Sequence, residues 1–309
     1  MLIIIVGAGL GFFSRKTAEI KSKSAEFKPE PKKEIVTALP WLPSEIILCG
    51  EKVPLERDYV RERLIQVLDS EIKGYSSEKL KSLRNSIWFS FIGNELKKAG
   101  LPNDLRYLPI LESGLNGLAI SGKGAKGPWQ FVAGTAERYK LRRISPYLDE
   151  RSDFIASTRA AKDYLKDLYS RFGSWSLALA GYNTGEDGLA RTLRKERVDD
   201  FYKLKEIPAE TQEFSFRLIA TKLLFEYPER YGFSRDGWIV EGAYDKWRII
   251  EIPVEIRESR YTISEIVQGI KNHYPKYNPE DFRRFNPHIL GDLPRGSYKV
   301  YIVTQNGTS

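Results

Sequence analysis

The chain has 309 residues, with 49 Lys+Arg against 41 Asp+Glu, a formal net charge of +8. With 41% hydrophobic and 12% aromatic residues it can bury a sizeable core, which excludes wholesale disorder and suits one or two domains. One cysteine, Cys49, rules out an intrachain disulfide, and two histidines, His273 and His288, both near the C-terminus, argue against a His-dependent triad or a His-rich metal site.

Residues 1–13 hold the apolar run LIIIVGAGLGFF after the first Met. It imitates a strand entering a dinucleotide-binding glycine turn, but the third glycine of G-x-G-x-x-G falls on Phe12. The following SRKTAEIKSKSAEFKPEPKKE is rich in Lys, Glu, Ser and Pro, which is linker composition rather than a helix. The apolar run is about 12 residues long, short for a spanning helix and suited to a signal core. Residues 1–13 are therefore expected to be a signal or anchor remnant and 14–40 a charged linker, implying a cell envelope or periplasmic location, with any membrane anchoring or association made through the N-terminus. Cys49, far from this run, is expected to act as a small buried hydrophobe.

Residues 41–54 give no clear element. Leu64, Leu68 and Ile72 form a helical stripe within 55–72. Leu80, Leu83, Ile87 and Phe91 continue the pattern over 77–99, with Gly100 at the C-cap position and Pro102 beyond it. A helix over 153–171 starts on Asp153, a short apolar one spans 175–182 and ends in Asn183-Thr184-Gly185, and another covers 209–226, stopped by Pro228. The block from about 55 to 232 is thus expected to be all-α. After Trp238 the pattern changes. WRIIEIPVE is a strand candidate that Pro253 pushes to an edge, Thr262-x-x-Glu265 is a capping box, and 298–303 alternates as a strand does. The fold class expected is mainly α, with a helical domain over 41–235 and a small α/β module over 236–309.

The chemistry concentrates between Leu105 and Asn183. If DLRYLPILESGLN is helical, Leu105, Leu108 and Glu112 share a face, and a carboxyl at the end of an apolar stripe holds its proton towards neutral pH. Pro109 acts against this if it opens the helix, because Glu112 then lies near an N-terminus that favours its charged form. AISGKGAKGPWQF is a glycine loop in which backbone approaches something closely, with Pro128 suited to a helix start and Trp129 and Gln130 in its first turn. In GYNTGE, Tyr182 can donate to a carboxylate and Asn183 can hold a sugar amide or hydroxyl.

Taken together and in this order, these stretches resemble the lytic murein transglycosylases, most closely the membrane-bound type D branch, whose catalytic fold is similar to goose-type lysozyme. The carriers are RYLPILESGLN, AISGKGAKGPWQFVAGTAERYKL, LDERSDFIASTRAAKDYLKDLYSRFGSWSLALAGYNTGE and IPAETQEFSFRLIATKLL, and the match covers about residues 50 to 232. The resemblance implies that Glu112 is the single catalytic acid/base, followed by Ser113 of the family's ES pair. It also implies that Ser113, Ser121, Gln130, Tyr182, Asn183 and Glu210 contact the glycan. Pro128, Gly181 and Phe214 depart from the family's usual residues.

Most glycosidases flank the bond with two carboxylates. The local motifs here offer one obvious acid, and the resemblance implies that the substrate supplies the nucleophile. Glu112 then protonates the oxygen between MurNAc and GlcNAc and takes a proton from the C6 hydroxyl, giving 1,6-anhydro-MurNAc without water. The expected partner is the peptidoglycan glycan strand, with no cofactor, no metal and no nucleic acid. Within 261–303, YTISEIVQGI, FRRFNPHIL and LPRGSYKVYI resemble a degenerate LysM repeat, in which Tyr274 and Tyr277 are placed to stack on sugars. A hydrolytic muramidase on the same fold and a catalytically weak peptidoglycan-binding protein are the alternatives.

Overall fold

The computed structural model describes residues 39–239 and 247–305. The glycine fingerprint and the signal or anchor segment lie outside the described residues, as does all but the end of the linker. The segment left unassigned opens on a small hairpin, β1 (Ile47–Leu48) paired with β2 (Glu51–Lys52). Its two turn residues, Cys49 and Gly50, both have positive φ, 54° and 84°, the geometry of a tight two-residue hairpin turn. Cys49 is buried, as expected, and its N–H donates to Asp104 at 2.7 Å.

Helices α1 (Asp58–Gly74), α2 (Ser77–Arg84) and α3 (Ile87–Lys98) follow. The single helix expected over 77–99 is broken at Asn85–Ser86. Ser86 is extended and its hydroxyl accepts the Trp88 N–H at 3.2 Å, while the Asn85 amide bonds the backbone of Gly237 and Ile239. A cap and a long-range tether outweigh the continuous apolar period. A 3₁₀ turn at Asn103–Tyr107 leads into α4 (Leu108–Ser113), and α5 (Ala133–Arg138) comes after the glycine loop. The central block is not wholly helical. β3 (Arg143–Ile144) and β4 (Leu148–Asp149) form a second hairpin within it.

α6 (Phe154–Phe172) starts where expected, with the Asp153 carboxylate accepting the N–H groups of Ile155 and Ala156. α7 (Trp175–Thr184) ends at Gly185. α8 (Glu186–Glu196), which the sequence reading did not identify, buries only Leu189. α9 (Ala209–Glu226) keeps its expected limits between Pro208 and Pro228. It buries residues all round, Phe214, Leu218, Ile219, Leu223 and Leu224 among them, so it lies inside the helical layer and packs on α1, α4 and α7. Truncating the fully buried Leu224 to Ala would cost ~2–5 kcal/mol.

In the C-terminal part, β5 (Trp247–Tyr261) pairs antiparallel with β6 (Leu293–Gln305), with Pro253 opposite Lys299. α10 (Ile263–His273) and α11 (Asp281–Phe285) lie between the strands in sequence. The Thr262–Glu265 capping box forms in both directions. Tyr274 and Tyr277 do not stand free for stacking, because both pack half-buried against the core of this module. That core also takes in Leu148, Ile144 and Tyr147 of the β3–β4 hairpin. A second seam is aromatic: Trp88 stacks on Phe154 at 4.3 Å, with Phe285 edge-on to Trp88 at 6.1 Å.

Candidate active site

Glu112 stands in the last turn of α4, not its first. Leu108, Pro109 and Ile110 are buried and root the helix, and Gly114 (φ 61°) turns the chain away while its N–H caps Ile110 at 2.8 Å. The dipole argument for a charged Glu112 therefore does not apply. Burial pushes its carboxyl up to about 7, with the Arg217 charge pulling it down and the Glu210 charge pushing it further up.

Glu112 opens into a cleft of about 580 Å³. One wall is the glycine loop, with Ser121, Lys123 and Gln130. The others are Tyr164 of α6, the α7–α8 junction from Tyr182 to Glu186, and Glu210 at the start of α9. The loop is a folded object. Lys126 and Phe131 exchange backbone hydrogen bonds at 3.1 Å, and Ser121 Oγ accepts the Ala125 N–H at 3.1 Å. Trp129 is fully buried, and its indole N–H donates to Thr158 of α6 at 3.0 Å. Pro128 does not start a helix, for residues 127–130 form a turn in which Gln130 has φ 49° and its amide donates to the carbonyls of Ala119 and Gly127.

Glu112, Ser121, Gln130, Tyr182, Asn183 and Glu210 thus line one cleft, brought there by four separate segments. Ser113 does not join them. Its hydroxyl is turned inward, within hydrogen-bond distance of the carbonyls of Pro109 (2.9 Å) and Pro128 (3.0 Å), so it ties α4 to the glycine loop. Tyr182 donates to the Trp129 carbonyl rather than to a carboxylate. Glu210 forms an exposed ion pair with Lys123 at 3.3 Å, joining two cleft walls.

Residues that the sequence reading passed over also reach the cleft. Tyr164, within the buried stripe of α6, packs beside Tyr182 with ring centroids 5.4 Å apart and donates to Glu186 at 2.9 Å. Burial opposes ionisation of Glu186, but hydrogen bonds from Arg138, its own backbone and Tyr164 outweigh it and hold the carboxyl below its usual range. Two cleft carboxyls are therefore driven in opposite directions, Glu112 towards the acid and Glu186 towards the anion. Among the described residues no group of three or more His, Cys, Asp or Glu is arranged to hold a metal ion. A larger cavity of about 910 Å³ lies apart, between α1, the segment 198–205 and α9, with Arg57, Arg63, Lys203 and Lys205 among its lining residues.

The family model for the "Transglycosylase SLT domain" matches residues 89–205, the stretch that carries Glu112, the glycine loop, Tyr182 and Asn183. Over 182 residues the chain is 32% identical to membrane-bound lytic murein transglycosylase D of Escherichia coli K12, covering 57% of this chain and 39% of that protein. A putative tributyltin chloride resistance protein of Alteromonas sp. M-1 is 39% identical over 115 residues, 37% of this chain and 55% of that protein. The chain therefore spans well under two thirds of the length of either relative. Among solved structures, the 70 kDa soluble lytic transglycosylase of E. coli aligns over 58% of this chain and 37% of its own, with 19% identity and a TM-score of 0.40.

Gly181, within the matched stretch, has a local explanation. A Cβ there would lie 2.8 Å from the ring of Phe172 and 3.4 Å from Leu168, so the bulk that an alanine would supply is provided by the phenyl ring.

Proposed function

We propose that this chain is a peptidoglycan lytic transglycosylase of the cell envelope. It cleaves the β-1,4 bond between MurNAc and GlcNAc without water and leaves 1,6-anhydro-MurNAc ends. The observation that carries the reading is Glu112, an SLT-domain carboxyl in a cleft, with its proton held up to about 7.

The protonated Glu112 gives its proton to the glycosidic oxygen as the C1–O bond breaks. The resulting carboxylate takes the proton of the MurNAc C6 hydroxyl while O6 bonds to C1, which returns Glu112 to its starting state. A group that gives and then recovers a proton works best with a pKa near the operating pH. Ser121, Gln130, Asn183 and Glu210 hold the glycan in this reading, while Tyr182 and Ser113 fix the walls. No described helix is long and apolar enough to cross a membrane, and we assign any membrane association to the N-terminal segment. We read the C-terminal α/β module as LysM-like.

The test is a digest of purified peptidoglycan with products read by mass. Muropeptides one water lighter than lysozyme products are expected, with Glu112→Gln below ~1% of wild-type turnover. Hydrated reducing ends would make the protein a muramidase, and turnover retained by the Gln variant would remove Glu112 from its role.

A further inference from the structure

Arg151 is buried, 6% exposed, and does not line the cleft. Its guanidinium grips the Asp149 carboxylate with two parallel bonds, Nε at 3.0 Å and Nη2 at 2.8 Å. The remaining nitrogen, Nη1, donates to the carbonyls of Gly124 at 2.8 Å and Phe131 at 3.2 Å, one on each side of the turn that carries Gln130. From the loop side, Lys126 returns to the same carboxylate at 3.3 Å. The loop is pressed onto this support, because a Cβ on Gly127 would sit 1.7 Å from the Arg151 carbonyl oxygen. The support is itself anchored from outside the SLT match. The Asp149 N–H donates to the His288 carbonyl at 3.0 Å, the Leu290 N–H donates to the Tyr147 carbonyl at 2.8 Å, and Leu148 and Ile289 form an isolated antiparallel bridge, so the C-terminal module is hydrogen-bonded to the edge of the β3–β4 hairpin.

We propose that Arg151 is a positioning residue that fixes the glycine loop as the glycan-holding wall of the cleft, with Asp149 and the module segment 288–290 as its foundation. Five N–H donors in a planar fork allow one side chain to hold a carboxylate and two carbonyls together, which an ammonium cannot reproduce. The part of the proposal that concerns glycan rests on the transglycosylase reading. The part that concerns the loop does not.

The test compares the wild-type protein with Arg151→Lys, which keeps the charge and loses the fork. Amide hydrogen exchange at Ala125, Lys126, Gly127 and Phe131 is expected to speed up by ~10-fold or more, while α1 and α9 keep their wild-type rates. KM for peptidoglycan is expected to rise by ~10-fold, with kcat and the pH dependence of kcat unmoved, as when binding shared by ground and transition states is lost. Unchanged loop exchange, exchange rising equally throughout the protein, or a fall in kcat at constant KM would each overturn the proposal. Should Arg151→Lys lower the folded fraction, Asp149→Asn weakens the same tether and must give the same loop-confined signature. If wild-type protein turns over no peptidoglycan, the functional reading fails while loop exchange still decides the role of Arg151.

Discussion

The hydroxyl of Tyr182 donates to the carbonyl oxygen of Trp129 at 2.5 Å. A phenol has one proton to give, so this bond fixes the α7 terminus to the glycine loop and leaves Glu112 to other influences. Burial, followed by the Glu112 charge, holds the Tyr182 hydroxyl well above its usual range, so it stays a neutral donor throughout the working pH range.

Glu112 should make the fold less stable as pH rises. Its ordinary value is 4.5 and the folded protein raises it to about 7. Between these values the folded state binds more protons than the unfolded chain, so stability falls with pH, the reverse of the usual carboxylate case. Glu112→Gln is expected to exceed wild type by up to ~3 kcal/mol at pH 8 and to match it near pH 4. Urea unfolding of both proteins at the two pH values checks this, and an equal difference at both would refute it.

Activity should fall above pH of about 7 as Glu112 loses its proton. The Arg217 charge lowers the Glu112 pKa and the Glu210 charge raises it. Arg217→Met should therefore carry the descending limb of kcat/KM to higher pH, and Glu210→Gln should carry it lower. Shifts in the same direction, or none, would contradict the electrostatic account.

Gly127→Ala should disable the loop. The residue has φ 81°, and its new Cβ would lie 1.7 Å from backbone oxygen, which cannot step aside as a side chain can. Strain of ~1–3 kcal/mol is the minimum expected from the dihedral alone. The variant should show a lowered Tm and at least ~100-fold less activity, since small misplacements of substrate-holding groups are that costly. A near-normal rate would show that the loop tolerates displacement.

Gly181 and Phe172 should be coupled. Gly181→Ala gains helix propensity but crowds the Phe172 ring, with overpacking costs of ~1–3 kcal/mol. Phe172→Leu loses packing. The double variant should be more stable than the sum of the single effects, by ~1 kcal/mol or more in a double-mutant cycle. Simple additivity would mean that the two positions do not share the space.

Much of the helical frame was legible because its signals are local. Asp153 caps α6, and Pro208 and Pro228 bracket α9, each within a few residues of the element that it ends. The break at Asn85–Ser86 was not, because the Asn85 amide bonds Gly237, which lies 152 residues away. The site divides in the same way. Glu112 announced itself as a carboxyl after an apolar stripe, but whether burial or the helix dipole governed it depended on where α4 began. Ser113 looked like a glycan contact beside Glu112, and only the folded loop brings Pro128 within reach of its hydroxyl. Tyr164 was hidden in a stripe of core residues, since periodicity separates inside from outside and does not distinguish a core wall from a cleft wall.

The aromatic seam of Trp88, Phe154 and Phe285 has a practical consequence for anyone who moves this protein between scaffolds. Trp88 and Phe154 are 6% and 4% exposed with the C-terminal segment in place. A shortened gene ending near residue 235 would uncover two large rings in face-to-face contact, beside a hairpin whose outer edge is no longer paired. Such a surface invites self-association. The smallest transplantable unit therefore extends through β6, well past the last residue that touches the cleft.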